Sequence, residues 1–271
     1  MIKILKVLKF IIPVFILYLI FRINMIVGLL LIAAILVFSL LHYRYLIYYI
    51  KASKYYTAGK YTEAMIYFKK ASDIGSCPDD IRHSYAFLLL KNKYLDEAEE
   101  MLNKMKQKKL KENVKYSVEM TSALVKWKKG NLNEAVDILE QVYKEFKCTT
   151  LYENLGYLLV LSKNYDRALQ INEEAYKYNS SSKTICDNLG ETYYYMGQYD
   201  KANEIYEALV NDNAKFIEAY YHYGLVLSKL GRREEALTNL NKALEFKENY
   251  LSEVNHNIVK EAIQATEEDS L

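Results

Sequence analysis

Glu153-Asn154 and Asp187-Asn188 are the residue pairs whose type and spacing suggest a chemistry: the asparagines stand 34 residues apart, each one position after a carboxylate. A carboxamide both donates and accepts, so two in a ladder can hold the backbone of an extended peptide whatever its side chains are. Tyr157, Glu191 and Tyr194 fall at helical spacing from these pairs and add two rings and a third carboxylate to one stripe. Catalytic chemistry is absent. His42, His83, His222 and His256 are scattered, and the chain has no His-Glu-x-x-His, Cys-x-x-Cys, phosphate-cradling glycine loop or nucleophile elbow. Cys77, Cys148 and Cys186 are odd in number and lack metal-ligand spacing, so they read as buried reduced thiols of a cytoplasmic protein. No enzyme activity, metal or cofactor is expected.

The elements that must carry this stripe repeat. Gly-Gln-Tyr-Asp-Lys-Ala at 197–202 is echoed at 231–236 and at 59–64, and its closing alanine recurs as Ala64, Ala98, Ala135, Ala168, Ala202 and Ala236, at spacings of 34, 37, 33, 34 and 34. Twelve residues before each lies another small residue: Ala52, Ala86, Ala123, Gly156, Gly190 or Gly224. Each period is therefore a pair of helices that approach through small side chains, and such units stack into a solenoid. Gly59, Gly130, Gly197 and Gly231 mark the turns inside the pairs, while Lys93 stands where the second pair should have its turn glycine.

With Tyr-Glu-Asn-Leu-Gly at 152–156 and Asp-Asn-Leu-Gly at 187–190, these spacings resemble the tetratricopeptide repeat family over residues 45 to about 250. The resemblance implies an all-α fold, a right-handed superhelical solenoid of about six helix pairs at 45–78, 79–115, 116–148, 149–182, 183–216 and 217–250. A capping helix is expected over 251–266, with Leu251, Val254, Ile258, Ala262 and Ile263 on one face, followed by an acidic tail at 267–269. In repeats of this kind the stripe lines a concave groove. The candidate groove is Tyr56, Phe87, Trp127, Glu153, Asn154, Tyr157, Asp187, Asn188, Glu191, Tyr194 and Tyr221. Some asparagine-bearing members bind peptides through such rungs, while Asn-Leu-Gly is also ordinary filler of the family pattern; at Asn154 and Asn188 both roles stay open. The stripe offers no lysine or arginine, which argues against the family's carboxylate-gripping mode and favours an apolar, aromatic or locally basic segment.

Residues 1–44 are of a different material, with five basic residues and no acidic one. Two apolar runs, at 4–21 and 25–41, are separated by Arg22-Ile23-Asn24, and they read as a membrane anchor, either a helical hairpin or one spanning helix. Lys3, Lys6 and Lys9 before the pair, with Arg44, Lys51, Lys54 and Lys60 after it, outnumber Arg22 between the runs, which places the repeats in the cytoplasm. Residues 45–271 carry 31 basic against 34 acidic residues, a net −3 that does not suit nucleic acid. Lys104, Lys106, Lys108, Lys109, Lys111 and Lys115 crowd a three-residue insertion after the second pair, a solvated helix end or a patch for anionic headgroups. The expected function is a membrane-tethered interaction scaffold that recruits a protein or peptide. The alternative is a structural protein that self-associates as a homo-oligomer, its groove filled by its own chain.

Overall fold

The computed structural model describes residues 2–268, with side chains from residue 13 onward, so the expected charges of Lys3, Lys6, Lys9 and Asp269 lie outside the described residues. The described chain is helical throughout, without strands, and divides into two compact units, Met1–Tyr85 and Ala86–Leu271.

The first unit holds α1 (Ile2–Ile23), α2 (Met25–Thr57) and α3 (Tyr61–Ser72). The expected three-residue turn between the apolar runs is a single residue, because Arg22 and Ile23 stay helical and Asn24 N–H still bonds the Ile20 carbonyl at 2.9 Å. Asn24 is extended, with φ −148°, and its side-chain oxygen accepts from the amides of Ile26 and Val27 at 3.0 and 3.2 Å, the N-cap that starts α2. The two helices meet at Gly28, where a Cβ would lie 2.4 Å from the Phe21 ring. No break occurs at 44–45: α2 is one helix of 33 residues, about 50 Å long at 1.5 Å per residue. Its N-terminal part is long and apolar enough to cross a membrane and is almost wholly exposed. Its C-terminal part buries Tyr45 and Ala52, and α3 buries Ala64, Phe68 and Ala71.

α4 (Asp79–Lys91) crosses the boundary between the units. The second unit continues with α5 (Leu95–Lys106), α6 (Glu112–Lys128), α7 (Leu132–Glu145), α8 (Thr149–Leu161) and α9 (Tyr165–Tyr178). It ends with α10 (Lys183–Tyr195), α11 (Tyr199–Asn211), α12 (Ile217–Lys229), α13 (Arg233–Ala243) and α14 (His256–Glu268). Sixteen positions after the small residues Ala86, Ala123, Gly156, Gly190 and Gly224 stand Leu102, Leu139, Asn172, Tyr206 and Leu240, all buried. A Cβ on Gly190 would lie 2.7 Å from the Tyr206 ring, and one on Gly224 would lie 2.6 Å from Leu240 Cγ, so only glycine lets these helices close. Asn172 is the polar exception: its Nδ2 donates to Thr192 Oγ1 at 2.9 Å and to the Asn188 carbonyl at 3.3 Å, while its buried Oδ1 has no partner.

One turn recurs at every position of the sequence echo. Gly59, Lys93, Gly130, Lys163, Gly197 and Gly231 all have positive φ, between 61° and 91°. Each donates its N–H three residues back, and the residue after it donates five back, as in Gly197 to Tyr194 and Gln198 to Tyr193 at 3.0 and 2.9 Å. Lys93 and Lys163 make the same pair of bonds, so the packed helices hold the left-handed conformation even without glycine.

The last helix begins at His256, five residues later than its apolar spacing predicts. The side-chain oxygen of Asn255 accepts from Asn257 N and Ile258 N at 3.0 and 3.2 Å and caps the helix there. Residues 244–255 form no long helix; Asn249 and Ser252 side chains accept from the amides of Leu251 and Val254, both at 3.1 Å, and compete with helical pairing. α14 lies against α13 and α12, with Val259 and Thr266 buried.

Candidate functional site

In the second unit the first helices of successive pairs, α6, α8, α10 and α12, lie beside one another. Their shared face carries most of the predicted residues and is already crossed by a piece of the same chain, the 247–255 segment between α13 and α14. The backbone N–H of Glu253 donates to the hydroxyl of Tyr157 at 2.9 Å. The Glu253 carboxylate lies 3.0 Å from Lys128 Nζ. That ammonium also stands 3.7 Å from the centroid of the Trp127 ring and 5.1 Å from that of Tyr250, while Lys93 approaches the same Tyr250 ring at 5.3 Å. Trp127 meets Tyr157 edge-on at 5.5 Å. The stripe itself carries no lysine or arginine, but Lys128 and Lys93 bring cations to this face from outside it. Lys128 is off the stripe in register but folds its long stem back along Trp127, and its side chain is only 10% exposed.

Beneath the segment remains a cavity of about 370 Å³, walled by Glu153, Asn154, Tyr157, Thr184, Asp187, Asn188, Phe216 and Glu218, and roofed by Lys247, Asn249, Leu251 and Ser252. The two asparagines differ. Asn154 is half-buried at the cavity wall, whereas Asn188 is 1% exposed and donates its amide to the Glu153 carbonyl at 2.9 Å, tying α10 to α8. Glu153 accepts from Ser182 Oγ at 2.7 Å.

Asp187 and Glu191 turn into the core, where both meet His222. His222 Nδ1 lies 3.0 Å from Asp187 Oδ1 and Nε2 lies 3.6 Å from Glu191 Oε1, and all three residues are buried. The Tyr206 hydroxyl donates to the Asp187 carbonyl and carboxylate at 3.0 and 3.1 Å. Glu191 Oε2 is buried without a partner. Burial pushes the Glu191 carboxyl up to about 7, against the pull of His222. For His222 burial acts downward, but the carboxylates of Glu191 and Asp187 outweigh it and hold the imidazole up at about 9. Burial, with the charge of Asp187 next, also raises Glu218 at the cavity wall.

Tyr194 and Tyr221 are half-buried against the cluster that contains Tyr206 and Tyr220. Phe87 is half-buried on α4. Tyr56, in the first unit, is exposed at the end of α2 with its ring 5.4 Å from that of Tyr61. Of the lysine cluster, Lys104 pairs with Glu100 and Lys106 with Glu119, both at 2.6 Å, and Lys115 with Glu145 at 3.3 Å; Lys108, Lys109 and Lys111 are exposed in the connecting loop. Residues that periodicity missed are Lys93, Lys128, Tyr250 and Glu253. The adjacency of Lys128 to Trp127 was the one local signal, and the other contacts depend on closure over 96 and 125 residues.

Models of the tetratricopeptide repeat match residues 120–182, 188–215 and 217–250. Among curated proteins, the chain is 26% identical over 125 residues to BBSome complex member BBS4 of Bos taurus, covering 46% of this chain and 24% of that one. It is 31% identical over 106 residues to TPR repeat-containing protein YvcD of Bacillus subtilis (strain 168), covering 39% of this chain and 22% of that one. The chain thus spans about a quarter of the length of these relatives. A tetratricopeptide repeat protein from Parabacteroides merdae, known from its crystal structure, shares the fold with a TM-score of 0.64 at 16% identity, over 82% of this chain and 84% of that one.

Proposed function

This chain belongs to the tetratricopeptide repeat family, and from that premise we propose that it is a membrane-tethered scaffold that recruits a partner protein by holding an extended segment of it. The family's fold serves protein interaction rather than catalysis. One observation carries the reading: the face of α6 and α8 holds a non-helical stretch of chain through Lys128 and Tyr157, both backed by Trp127, the service a foreign peptide would need. At the cavity wall the half-buried Asn154 carboxamide and the exposed Thr184 hydroxyl are available to a peptide backbone, while Asn188 is spent on tying α10 to α8. In this reading six helix pairs over 45–250 form the scaffold and α14 caps it.

The tether is the apolar part of α2, with α1 either beside it in the bilayer or at its surface. Its apolar side chains lie exposed among the described residues, and lipid is the medium that makes such exposure favourable. The basic residues after the span, Arg44, Lys51, Lys54 and Lys60, favour a cytoplasmic scaffold. Lys108, Lys109 and Lys111, free of the carboxylate pairs that occupy Lys104, Lys106 and Lys115, are the part of the lysine cluster suited to anionic headgroups. A photo-cross-linking residue at Tyr194 or Tyr221, introduced in the full chain in its own cells, tests recruitment. The expected product joins the membrane-bound chain to a different protein, with no such adduct from Tyr176 on α9. Adducts only between copies of this chain would favour the self-associating alternative.

A further inference from the structure

We propose that residues 247–255 are an internal ligand of the recognition face, and that the partner segment that displaces them carries the same pattern: a basic residue, an aromatic ring three positions on, and a carboxylate three positions further. The inference rests on the reading that this face binds an extended segment, and it names what that segment looks like.

The length of the connection is the first reason. α13 and α14 are neighbours, and Arg233 Nη2 donates to the Glu267 carbonyl at 2.6 Å. Adjacent helices in a bundle are ordinarily joined by about 2–8 residues, whereas twelve separate Ala243 from His256. The surplus goes to the face of α6 and α8, away from the helices being joined. Chemistry is the second reason. Lys247 roofs the cavity whose wall holds Glu153, Asp187 and Glu218; Tyr250 lies under Lys93 and Lys128; Glu253 pairs with Lys128. The Glu253–Lys128 pair and the Tyr250 ring under two ammoniums fix direction and register, and Lys247 adds a cation at the rim of the cavity.

The grip is built to be exchanged. One backbone hydrogen bond and the Ser252 hydroxyl tie the segment to Tyr157 on α8, the Glu253 side chain is 56% exposed, and Lys93 is exposed. Val254 alone in the segment is buried. The cavity left under the segment means that the wall is incompletely filled, so a foreign segment with larger or additional side chains can gain contacts that the internal one lacks. The tethered copy competes as an intramolecular ligand at an effective concentration on the order of millimolar, which sets a threshold that a partner must exceed.

The test uses the full chain in detergent micelles and a fluorescein-labelled synthetic peptide copying residues 246–256. Tyr250→Ala with Glu253→Gln loosens the internal segment without leaving a charge there to pair with a later change at Lys128; Glu253→Gln alone serves should the double change disturb folding, which helix content by circular dichroism reports. The loosened chain should bind the peptide roughly tenfold or more tightly than the unaltered chain, a gain of about 1.4 kcal/mol or more. Adding Lys128→Glu should abolish that binding, and a peptide with lysine at the position of Glu253 should restore it. Equal binding before and after loosening, or indifference to Lys128→Glu, overturns the proposal. So does a dimer of the unaltered chain that exchanges its 247–255 segments, since the occupant is then a second copy. Should the loosened chain ignore the peptide while the cross-linker at Tyr194 still captures a foreign protein, the recruitment reading stands and the internal ligand falls.

Discussion

Replacing Glu191 by glutamine removes a titration from the core of the second unit at constant side-chain volume. In the wild type the carboxyl is 4% exposed, one oxygen faces His222 at 3.6 Å and the other has no partner. Its proton is therefore held from the ordinary 4.5 up to about 7, chiefly by burial. At about 1.4 kcal/mol per pKa unit this favours the protonated fold by about 3 kcal/mol. The sign follows from a folded value raised above the unfolded one: the stabilisation is complete below about pH 4.5 and is lost as pH rises through 7. His222 acts in the same sense one step higher, its contribution complete below 6.5 and lost as pH rises through about 9. Glu191 alone should accordingly lower the wild-type midpoint between pH 5 and 8 by about 6–12 °C for a region of this size, and His222 adds to that fall. Glu191→Gln stays neutral throughout and leaves His222 with Asp187 at 3.0 Å, so the variant's midpoint should fall by less than the wild type's over that interval. Thermal unfolding of the full chain in nonionic detergent, followed by far-UV ellipticity at several pH values, measures both. Parallel curves for wild type and variant would refute the assignment of the proton to Glu191. The exposed Glu235→Gln, which breaks the pair with Arg232, should leave the slope unchanged.

Two further outcomes follow from the packing and the tether. Gly190→Leu or Gly224→Leu drives a side chain into Tyr206 or Leu240 and should lower the midpoint, at a cost of about 1–3 kcal/mol; the exposed Lys104→Leu should not, and the reverse result would disprove the helix register. In a chain whose native cysteines are replaced by serine, a single cysteine at Lys108 should resist an impermeant maleimide on intact cells and react once the membrane is opened, whereas ready labelling of intact cells would move the scaffold to the outer side.

Much of the fold was legible because it is written locally and repeatedly. Small residues at fixed spacing required helices in close contact, and the contacts at Gly190 and Gly224 are the ones that spacing implied. Glycine marks only four of the six turns; at Lys93 and Lys163 the same left-handed geometry is imposed by the helices on either side, so composition underreports it. The site was legible in part. Trp127 and Tyr157 were found from periodicity, but their occupant was not, since Leu251, Val254 and Ile258 share a helical spacing that the side chains of Asn249, Ser252 and Asn255 override by capturing backbone amides. Asp187 and Glu191 were read as groove carboxylates because stripe position was taken for exposure. Their inward turn depends on His222, whose position one repeat away coincides with the ladder of asparagines.

The continuity of α2 makes the first helix pair a lever rather than a pendant. A flexible tether would let the attached domain tumble and would transmit only distance. A single helix running from Met25 through Thr57, with α3 folded back against its end, transmits angle as well. Each residue added between Leu41 and Tyr45 would turn α3 by about 100° about the helix axis and lift it about 1.5 Å, and a full turn of added residues would nearly restore its heading. With the apolar part of α2 as the proposed tether, the azimuth at which the first repeat leaves it is thus written in the number of residues between the last leucine of the apolar run and the first buried tyrosine.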